Sequence, residues 1–364
     1  MHQQDNPGPI GPEPAISVRP LVVLYLYVHE RAEEFVYPSA RSTGTTRVAS
    51  RYLECALAQV ASLRLRDADC DIALVINDTR RETLGRRGGE LIECIERHAV
   101  DVIAAPYAHR LEHASPHYVA SRYVLDAIVA ATRGEHADRP LWLTDLDCIW
   151  VAPEKVFAAV PSASEVGCVF IGYPPDWDTV KLGGYGTRRR VGELAGELGS
   201  AGRGDEVPPW VGGELLAGSA AALRRLAAEA ERLDTRCSQR GVALATEEEL
   251  LSLLGAMGIV RFSDLSFVAR RIQTGRRHEA TAVEQPLSLG LWHLPSEKGL
   301  SLRRAADRML RGQADRLRAD LEDPARAGAM FNVQGTGLPR RVRDDAWIVA
   351  QKLAMLRARL AGRA

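Results

Sequence analysis

Short apolar runs alternate with amphipathic segments in the first part of the chain, and this alternation limits the fold more than any other feature. Leu21 to Val28 is a continuous apolar run, and DIALVI at 71–76 is a second one. Runs of this kind predict strands buried on both faces of a sheet. Between them, Arg47 to Leu63 has apolar residues at helical spacing. Strands separated by helices at this pitch predict a mostly parallel sheet with helices on both faces.

The same patterns continue along the chain with less regularity. Further strands are predicted at 100–105, 141–144, 166–171 and near 259 and 289. Further helices are predicted at 118–131, 220–236, 246–254, 301–321 and from about 344. The glycine-rich, charged stretch 176–190 predicts a mobile loop. We therefore expect a disordered lead-in at 1–19, an α/β domain at 20–300 and a helical extension at 301–364.

Composition argues against several classes of function. The 47 basic residues balance the 47 acidic ones, so the net charge offers no attraction for nucleic acid or an anionic membrane. The apolar run that begins at Leu21 is far shorter than the roughly 20 residues that span a bilayer, so we expect no membrane span. Six cysteines are scattered without a CxxC pair. This predicts reduced, buried thiols and a cytoplasmic protein.

The sharpest local feature is the segment LWLTDLDCIW at 141–150, where an apolar strand leads directly into Asp145 and Asp147. Residues i and i+2 of an extended backbone face the same side, so we expect the two carboxylates to converge. They follow the carboxyl end of a predicted strand, where open α/β sheets bind ligands. Carboxylate oxygens suit Mg²⁺ or Mn²⁺, which in turn bind diphosphates. Two aspartates bonded to N–H groups in a turn are the alternative.

This strand–Asp–x–Asp–strand arrangement resembles the DxD motif of GT-A-fold, metal-dependent glycosyltransferases such as glycogenin and bacterial galactosyltransferases. The resemblance implies an α/β fold of GT-A type, with a Rossmann-like, mostly parallel mixed sheet and additional C-terminal helices. It also implies Mn²⁺ or Mg²⁺, a nucleotide-sugar donor (a UDP-sugar before others) and a small-molecule or glycan acceptor. In layout it covers residues 20–300, with a nucleotide-binding part at 20–151 and an acceptor part at 152–300.

A second motif, LWHLPSEKG at 291–299, agrees with the resemblance. In that family a histidine after a late strand is the third metal ligand, and a lysine shortly afterwards binds the donor phosphate. These roles fall on His293 and Lys298. The chain has four residues between them where the family usually has five, and Lys-Gly where the family has Lys-Pro-Trp. A structural histidine is the alternative for His293.

Candidate residues for the sugar and the acceptor also follow from the resemblance. The segment WVGGELLAG at 210–218 is similar to the small-residue segment that lines the donor sugar and acceptor, which implicates Gly213 and Glu214. Glu247 and Glu248 open the predicted helix at 246–254. With Glu214 they are the candidates for a catalytic base. A bend before a helix and glutamates that complement a helix dipole are the alternatives.

Four more donor-binding candidates follow from position in such a fold alone. Tyr25, Tyr27 and His29 lie on or just after the first strand, whose loop would hold the base and ribose. Arg122 lies on the helix before the Asp-x-Asp strand. A core or surface position is the alternative for each of these residues.

Rival enzyme classes are less well supported. His109 to His113 spells HxxEH, the inverted zinc-peptidase pattern, but Pro106 and Pro116 leave little more than two helical turns for it. A haloacid-dehalogenase-like phosphatase would carry its Asp-x-Asp after the first strand, not after three others. A sugar-phosphate nucleotidyltransferase would have glycines directly after the first strand. A non-catalytic nucleotide-sugar binder stays open, because binding and turnover use the same ligands.

Overall fold

The computed structural model describes residues 19–29, 45–109, 120–172, 187–199, 207–274, 285–334 and Val342. Its strands are β1 (Leu21–Leu26), β2 (Asp71–Ile76), β3 (Val100–Ala104), β4 (Pro140–Thr144), β5 (Cys148–Trp150), β6 (Val166–Ile171), β7 (Trp210–Ser219), β8 (Phe262–Asp264), β9 (Ala269–Arg271) and β10 (Leu291–His293). Its α-helices are α1 (Thr45–Arg64), α2 (Arg81–Glu96), α3 (Tyr123–Ala131), α4 (Pro153–Ala158), α5 (Arg188–Glu197), α6 (Ala220–Gln239), α7 (Glu247–Ala256), α8 (Ser301–Leu310), α9 (Ala314–Glu322) and α10 (Pro324–Met330).

Seven strands form one mixed sheet in the order β3-β2-β1-β4-β7-β6-β8. The pairs β1–β2, β2–β3, β1–β4 and β6–β8 are parallel, whereas β7 runs antiparallel to both of its neighbours. The predicted fold class, α/β with a mostly parallel mixed sheet, is therefore confirmed.

Helices cover both faces of this sheet. Side chains alternate along β1, so Val22 and Leu24 belong to one apolar core and Leu21 and Val23 to the other. Helices α1, α2 and α8 to α10 contribute to the first core, and α3, α5, α6 and α7 contribute to the second. The C-terminal helices α8 to α10 thus pack on the same face as α1.

A second, three-stranded sheet has the order β5-β10-β9. Strand β10 runs antiparallel to β5, which places His293 opposite Cys148, and parallel to β9, which places His293 opposite Arg271. Since β5 follows β4 after only three residues, the small sheet brings His293 back to the Asp-x-Asp turn.

Some local predictions need correction. The helix predicted at 301–321 is two helices, because Gly312 adopts a left-handed φ of 70° between α8 and α9. The predicted loop at 176–190 lies mostly outside the described residues, and its last part starts α5, where Thr187 accepts a hydrogen bond from the Arg190 amide. The lead-in up to residue 18 and the helix predicted from 344 also lie outside them.

Two expectations concern the cysteines and the membrane. All six cysteines are buried and none forms a disulfide, as predicted. Among the helices that the structure describes, none is both long and apolar enough to cross a bilayer. The division of the chain at residues 151 and 300 stays a prediction.

Candidate metal centre

Asp145 and Asp147 lie in a tight turn between β4 and β5, not on extended backbone as the sequence predicted. The buried Leu146 between them belongs to the apolar core. The two carboxylates nevertheless converge on one imidazole: His293 Nε2 lies 3.4 Å from Asp145 Oδ2 and 3.2 Å from Asp147 Oδ2. The predicted convergence is confirmed, and turn geometry is its cause. We term Asp145, Asp147 and His293 the aspartate cluster.

Three separate elements hold the turn by its backbone. The amide of Gln59, a fully buried residue of α1, donates to the Asp145 carbonyl at 3.0 Å. The Asp145 amide donates to the Glu214 carbonyl of β7 at 3.2 Å, and the Leu294 amide donates to the Asp147 carbonyl at 2.8 Å. Helix α1, β7 and the end of β10 thereby fix the position from which both aspartates project.

Two cations face Asp147. Lys298 Nζ lies 3.1 Å from Asp147 Oδ2 and also lies over the ring of Tyr52, 4.9 Å from its centre. Burial opposes ionisation of Asp147, but Lys298 and His293 together hold the pKa of this carboxyl well below its usual value. Burial favours neutral His293, yet the carboxylates of Asp147, Glu214 and Asp145 raise its pKa to about 9. The carboxylates therefore stabilise positive charge on His293 and Lys298.

Tyr25, predicted as a donor-binding residue, contacts the cluster directly. Its hydroxyl donates to Asp145 Oδ1 at 2.7 Å. Burial and the nearby Asp145 raise the pKa of Tyr25 well above its usual value, so the phenol keeps its proton. Burial and Asp147 likewise raise the pKa of Asp145. Tyr25 thus fixes one oxygen of Asp145 and leaves the other facing His293.

The donor set of the aspartate cluster fits a divalent cation. One oxygen from each aspartate and one nitrogen of His293 all lie within 4.8 Å of one another. On the far side of the imidazole, His293 Nδ1 and Glu214 Oε1 are 3.9 Å apart, and among the described residues neither buried atom has a hydrogen-bond partner. Two carboxylates and one imidazole suit Mn²⁺ better than Mg²⁺, which prefers oxygen ligands. The three predicted ligands form a candidate metal site.

Glu214 and Glu248, two of the predicted catalytic bases, are bound to a single arginine. Arg271 Nη2 lies 2.9 Å from Glu214 Oε2 and also contacts Glu248. The Trp210 indole N–H donates to the second oxygen of Glu248 at 2.8 Å. Although burial opposes it, Arg271 and His293 lower the pKa of Glu214 to about 2. We term Glu214 and Glu248 the glutamate pair; its carboxylates are engaged in ion pairs, which disfavours the predicted role as a base.

Sequence reasoning missed Arg271. It ends the three-residue strand β9 in the string VARR, which matches no motif. Only the pairing of β9 with β10 places Arg271 opposite His293. A buried glutamate requires a cationic partner, so Glu214 predicts that some arginine or lysine lies beside it. The sequence gives no further indication that this residue is Arg271.

Glu247 differs from the glutamate pair. It is partly buried at the start of α7, and burial, Glu248 and Asp145 raise its pKa to about 8. A Cβ atom on Gly213 of β7 would lie 2.9 Å from Glu247 Oε1, so the predicted glycine allows close approach of this carboxyl. A Cβ atom on Gly212 would lie only 2.1 Å from Glu214 Oε2. The segment 210–218 is thus part of a strand, β7, whose glycines make room for two carboxyl groups and which leads into α6.

Tyr27 and His29 belong to an aromatic cluster beyond the end of β1. Both side chains are buried, and the Tyr27 ring packs edge to face on His29 and on Tyr107, with centroids 4.7 Å apart in each case. Their predicted role in binding the base and ribose stays a prediction.

The structure does not bring Arg122 to the aspartate cluster. Its buried guanidinium forms an ion pair with Asp234 of α6 and donates to the Leu244 carbonyl at 3.3 Å. These contacts join the N-terminal end of α3 to α6 and to the segment before α7, and the predicted donor contact of Arg122 stays a prediction. His109, the first residue of the zinc-peptidase pattern, pairs with Asp126 at 2.8 Å, and the rest of that pattern lies outside the described residues.

No protein-family model and no curated protein matches this chain. Among solved structures, it is similar to an active-site mutant of LgtC, with 11% identity, a TM-score of 0.46, and coverage of 80% of this chain and 95% of that one. It is similar to galactosyltransferase LgtC in complex with donor and acceptor sugar analogues, with 10% identity, a TM-score of 0.45, and coverage of 83% and 96%. It is also similar to mouse xyloside xylosyltransferase 1 in its apo form, with 11% identity, a TM-score of 0.44, and coverage of 76% and 97%. At this level of similarity, function has to come from the chemistry of the site.

Proposed function

We propose that the chain is a glycosyltransferase that moves a sugar from a nucleotide-sugar donor, a UDP-sugar, to a small-molecule or glycan acceptor. The observation that carries this proposal is the aspartate cluster, whose three ligand atoms lie within 4.8 Å beside Lys298. A divalent cation held there, Mn²⁺ or Mg²⁺, would bind the donor diphosphate. The cluster follows the carboxyl end of β4, the sheet edge at which α/β proteins bind nucleotides.

The charges of the site suit departure of a nucleoside diphosphate. Transfer breaks the bond between the anomeric carbon and a phosphate oxygen, and negative charge develops on the leaving group. The metal ion, when bound, supplies positive charge at that oxygen. Lys298 supplies a second cation, because Asp147 raises its pKa above the ordinary value despite burial. Tyr25 holds Asp145 in place throughout.

Glu247 is the best placed of the three predicted bases for proton transfer. In an inverting reaction a carboxylate removes the proton from the attacking acceptor hydroxyl. The glutamate pair is engaged by Arg271, whereas among the described residues no cation lies within ion-pair distance of Glu247. Because Asp145 is one cause of the raised pKa of Glu247, neutralising the charge of Asp145 favours the Glu247 carboxylate.

The test is release of nucleoside diphosphate. The protein is incubated with Mn²⁺ and a panel of nucleotide sugars, and free diphosphate is measured. We expect release from one donor, abolished by excess chelator and reduced at least about 100-fold by Asp147→Asn, since changes beyond the ligand shell already cost 10–100-fold. Asp101→Asn, an exposed aspartate on β3, is the matched control and should have no effect.

The same assay separates the rival functions, none of which a described contact favours. A phosphatase releases inorganic phosphate, a nucleotidyltransferase consumes a nucleoside triphosphate and releases pyrophosphate, and a non-catalytic binder retains the intact donor. Release that continues undiminished in excess chelator would contradict a metal-dependent transferase.

A further inference from the structure

A cavity of 910 Å³ lies between α1, α2 and α8, apart from the aspartate cluster. Its lining carries six arginines, which define what we term the basic groove: Arg47, Arg51, Arg86, Arg87, Arg303 and Arg311. Three carboxylates also line it: Glu54, Glu90 and Asp307. Arginine is always protonated in proteins, so the lining has an excess of three positive charges.

Buried acid groups hold part of this positive charge in place. Glu54 is buried, and its oxygens lie 3.7 Å from Arg51, 3.2 Å from Arg87 and 3.8 Å from Arg303. Asp307 contacts Arg87 as well. Three guanidinium groups are thereby oriented around one carboxylate before any ligand binds.

Two further arginines of the groove have no counter-ion among the described residues. Within the described part of the chain, no carboxylate lies within 4.0 Å of Arg47 or Arg311, and both side chains are exposed at the groove. Arg51 is paired with Glu54 at 3.7 Å through its buried Nε, but that N–H has no hydrogen-bond partner among the described residues. The groove therefore combines fixed guanidinium groups with unneutralised ones, which is the arrangement that an anion requires.

The wall of the groove adjoins the Lys298 side of the candidate metal centre. Gly299, the next residue after Lys298, lines the groove, and a Cβ atom there would lie 2.6 Å from Arg51 Nη1. Arg51 in turn precedes Tyr52, whose hydroxyl accepts from Lys298 Nζ at 3.4 Å. The Lys-Gly sequence, where the resembled family has Lys-Pro, is what lets the Arg51 guanidinium lie against the backbone at this wall.

We propose that the basic groove binds the phosphate group of a phosphorylated saccharide that serves as acceptor; this inference rests on the proposed function. A phosphate monoester carries close to two negative charges near neutral pH, and guanidinium groups match its oxygens in pairs. The cavity volume is that of a site for a small ligand and exceeds the needs of a phosphate ion alone. Because Gly299 of the lining directly follows Lys298, the groove shares a wall with the segment that would contact the donor diphosphate.

Calorimetry in excess chelator tests this with glucose 1-phosphate as the probe, and with glucose and inorganic phosphate as comparisons. We expect glucose 1-phosphate to bind, glucose not to bind, and added salt to weaken binding. The double variant Arg47→Ala, Arg303→Ala should weaken binding at least about tenfold, since each loses a charge-assisted contact. The control Arg316→Ala removes an exposed arginine of α9 and should change nothing.

The outcomes separate this inference from the proposed function. Mn²⁺-dependent UDP binding should be the same in the double variant as in the parent. If UDP binds and glucose 1-phosphate does not, or binds equally well to the double variant, the groove assignment is wrong and the transferase proposal stands. If glucose 1-phosphate binds through the groove and no nucleotide sugar is cleaved, the transferase proposal fails instead. Inorganic phosphate bound as tightly as glucose 1-phosphate would overturn the saccharide part.

Discussion

Asp145 and Asp147 of the aspartate cluster and Glu214 of the glutamate pair all lie within 4 Å of His293, yet the two groups are held in different ways. The aspartates face His293 and Lys298, which under the proposed function would bind the metal ion and the donor phosphate. The glutamates face Arg271, whose guanidinium keeps its proton at every accessible pH. The four acidic residues therefore form two kinds of group: the aspartates converge on a candidate metal site, whereas the glutamates share one arginine within the protein.

Removing Arg271 should leave both glutamates without their arginine partner and give the largest change in the free energy of unfolding. Arg271→Met leaves two buried carboxylates without their shared cation, which should lower the free energy of unfolding by about 3 kcal/mol. Urea denaturation measures it. Arg270→Met, at the exposed neighbouring position, is the matched control and should cost far less. Equal stability of the two variants would mean that the glutamates do not depend on Arg271.

The aspartate cluster should respond to pH instead. Imidazole binds metal only when neutral, and in the metal-free protein the pKa of His293 is raised to about 9. Mn²⁺ affinity should therefore fall about tenfold for each pH unit below 9, with one proton released per ion bound, as titration calorimetry in buffers of different ionisation enthalpy would show. An unperturbed histidine would give this dependence only below about pH 6.5. Affinity that stays constant between pH 7 and pH 9 would argue against a charged His293 in the metal-free site.

In the metal-free protein His293 should also make the folding stability depend on pH. A pKa raised in the folded state means that protonated His293 stabilises the fold fully below about pH 6.5, the unfolded value, and that this contribution disappears as the pH rises through about 9. Melting temperatures in chelator should show this loss between those limits, and His293→Ala should remove the dependence. A pH dependence that persists in this variant would assign it to another group.

A smaller effect should come from the strand that carries Glu214. Gly212→Ala places a Cβ atom 2.1 Å from Glu214 Oε2, so the carboxylate has to move and the variant should lose about 1–3 kcal/mol of stability. Gly196→Ala, in α5, is the matched control because its added methyl group meets nothing within 4 Å. That control should stabilise the protein slightly, since alanine favours helix. A neutral Gly212→Ala would show that Glu214 is free to move.

Sequence predicted the parts of the site that depend on short-range patterns. β2 and β6 have the predicted bounds, and Asp145 and Asp147 were identified because they directly follow a buried strand. The meeting of His293 with Asp147 spans 146 residues and depends on two three-residue strands, β5 and β10, which are too short to give a periodic signal. The resemblance supplied His293, and the residues alone did not.

Long-range ion pairs account for what sequence reasoning did not find. Arg122 was predicted to contact the donor because it lies before β4. In the structure it forms an ion pair with Asp234 of α6, more than a hundred residues further along the chain. Arg271 was overlooked because its two glutamate partners lie on other elements. The partner of a buried charge is decided by tertiary packing, which local patterns do not encode.

Pulsed EPR of bound Mn²⁺ tests most directly whether Asp145, Asp147 and His293 hold one metal ion. We predict a hyperfine coupling to one imidazole nitrogen in the parent protein. It should disappear in His293→Ala at Mn²⁺ concentrations that still saturate the aspartates, and it should persist in His98→Ala, a histidine outside the site. A parent spectrum without nitrogen coupling, or a coupling that survives in His293→Ala, would contradict the three-residue metal centre.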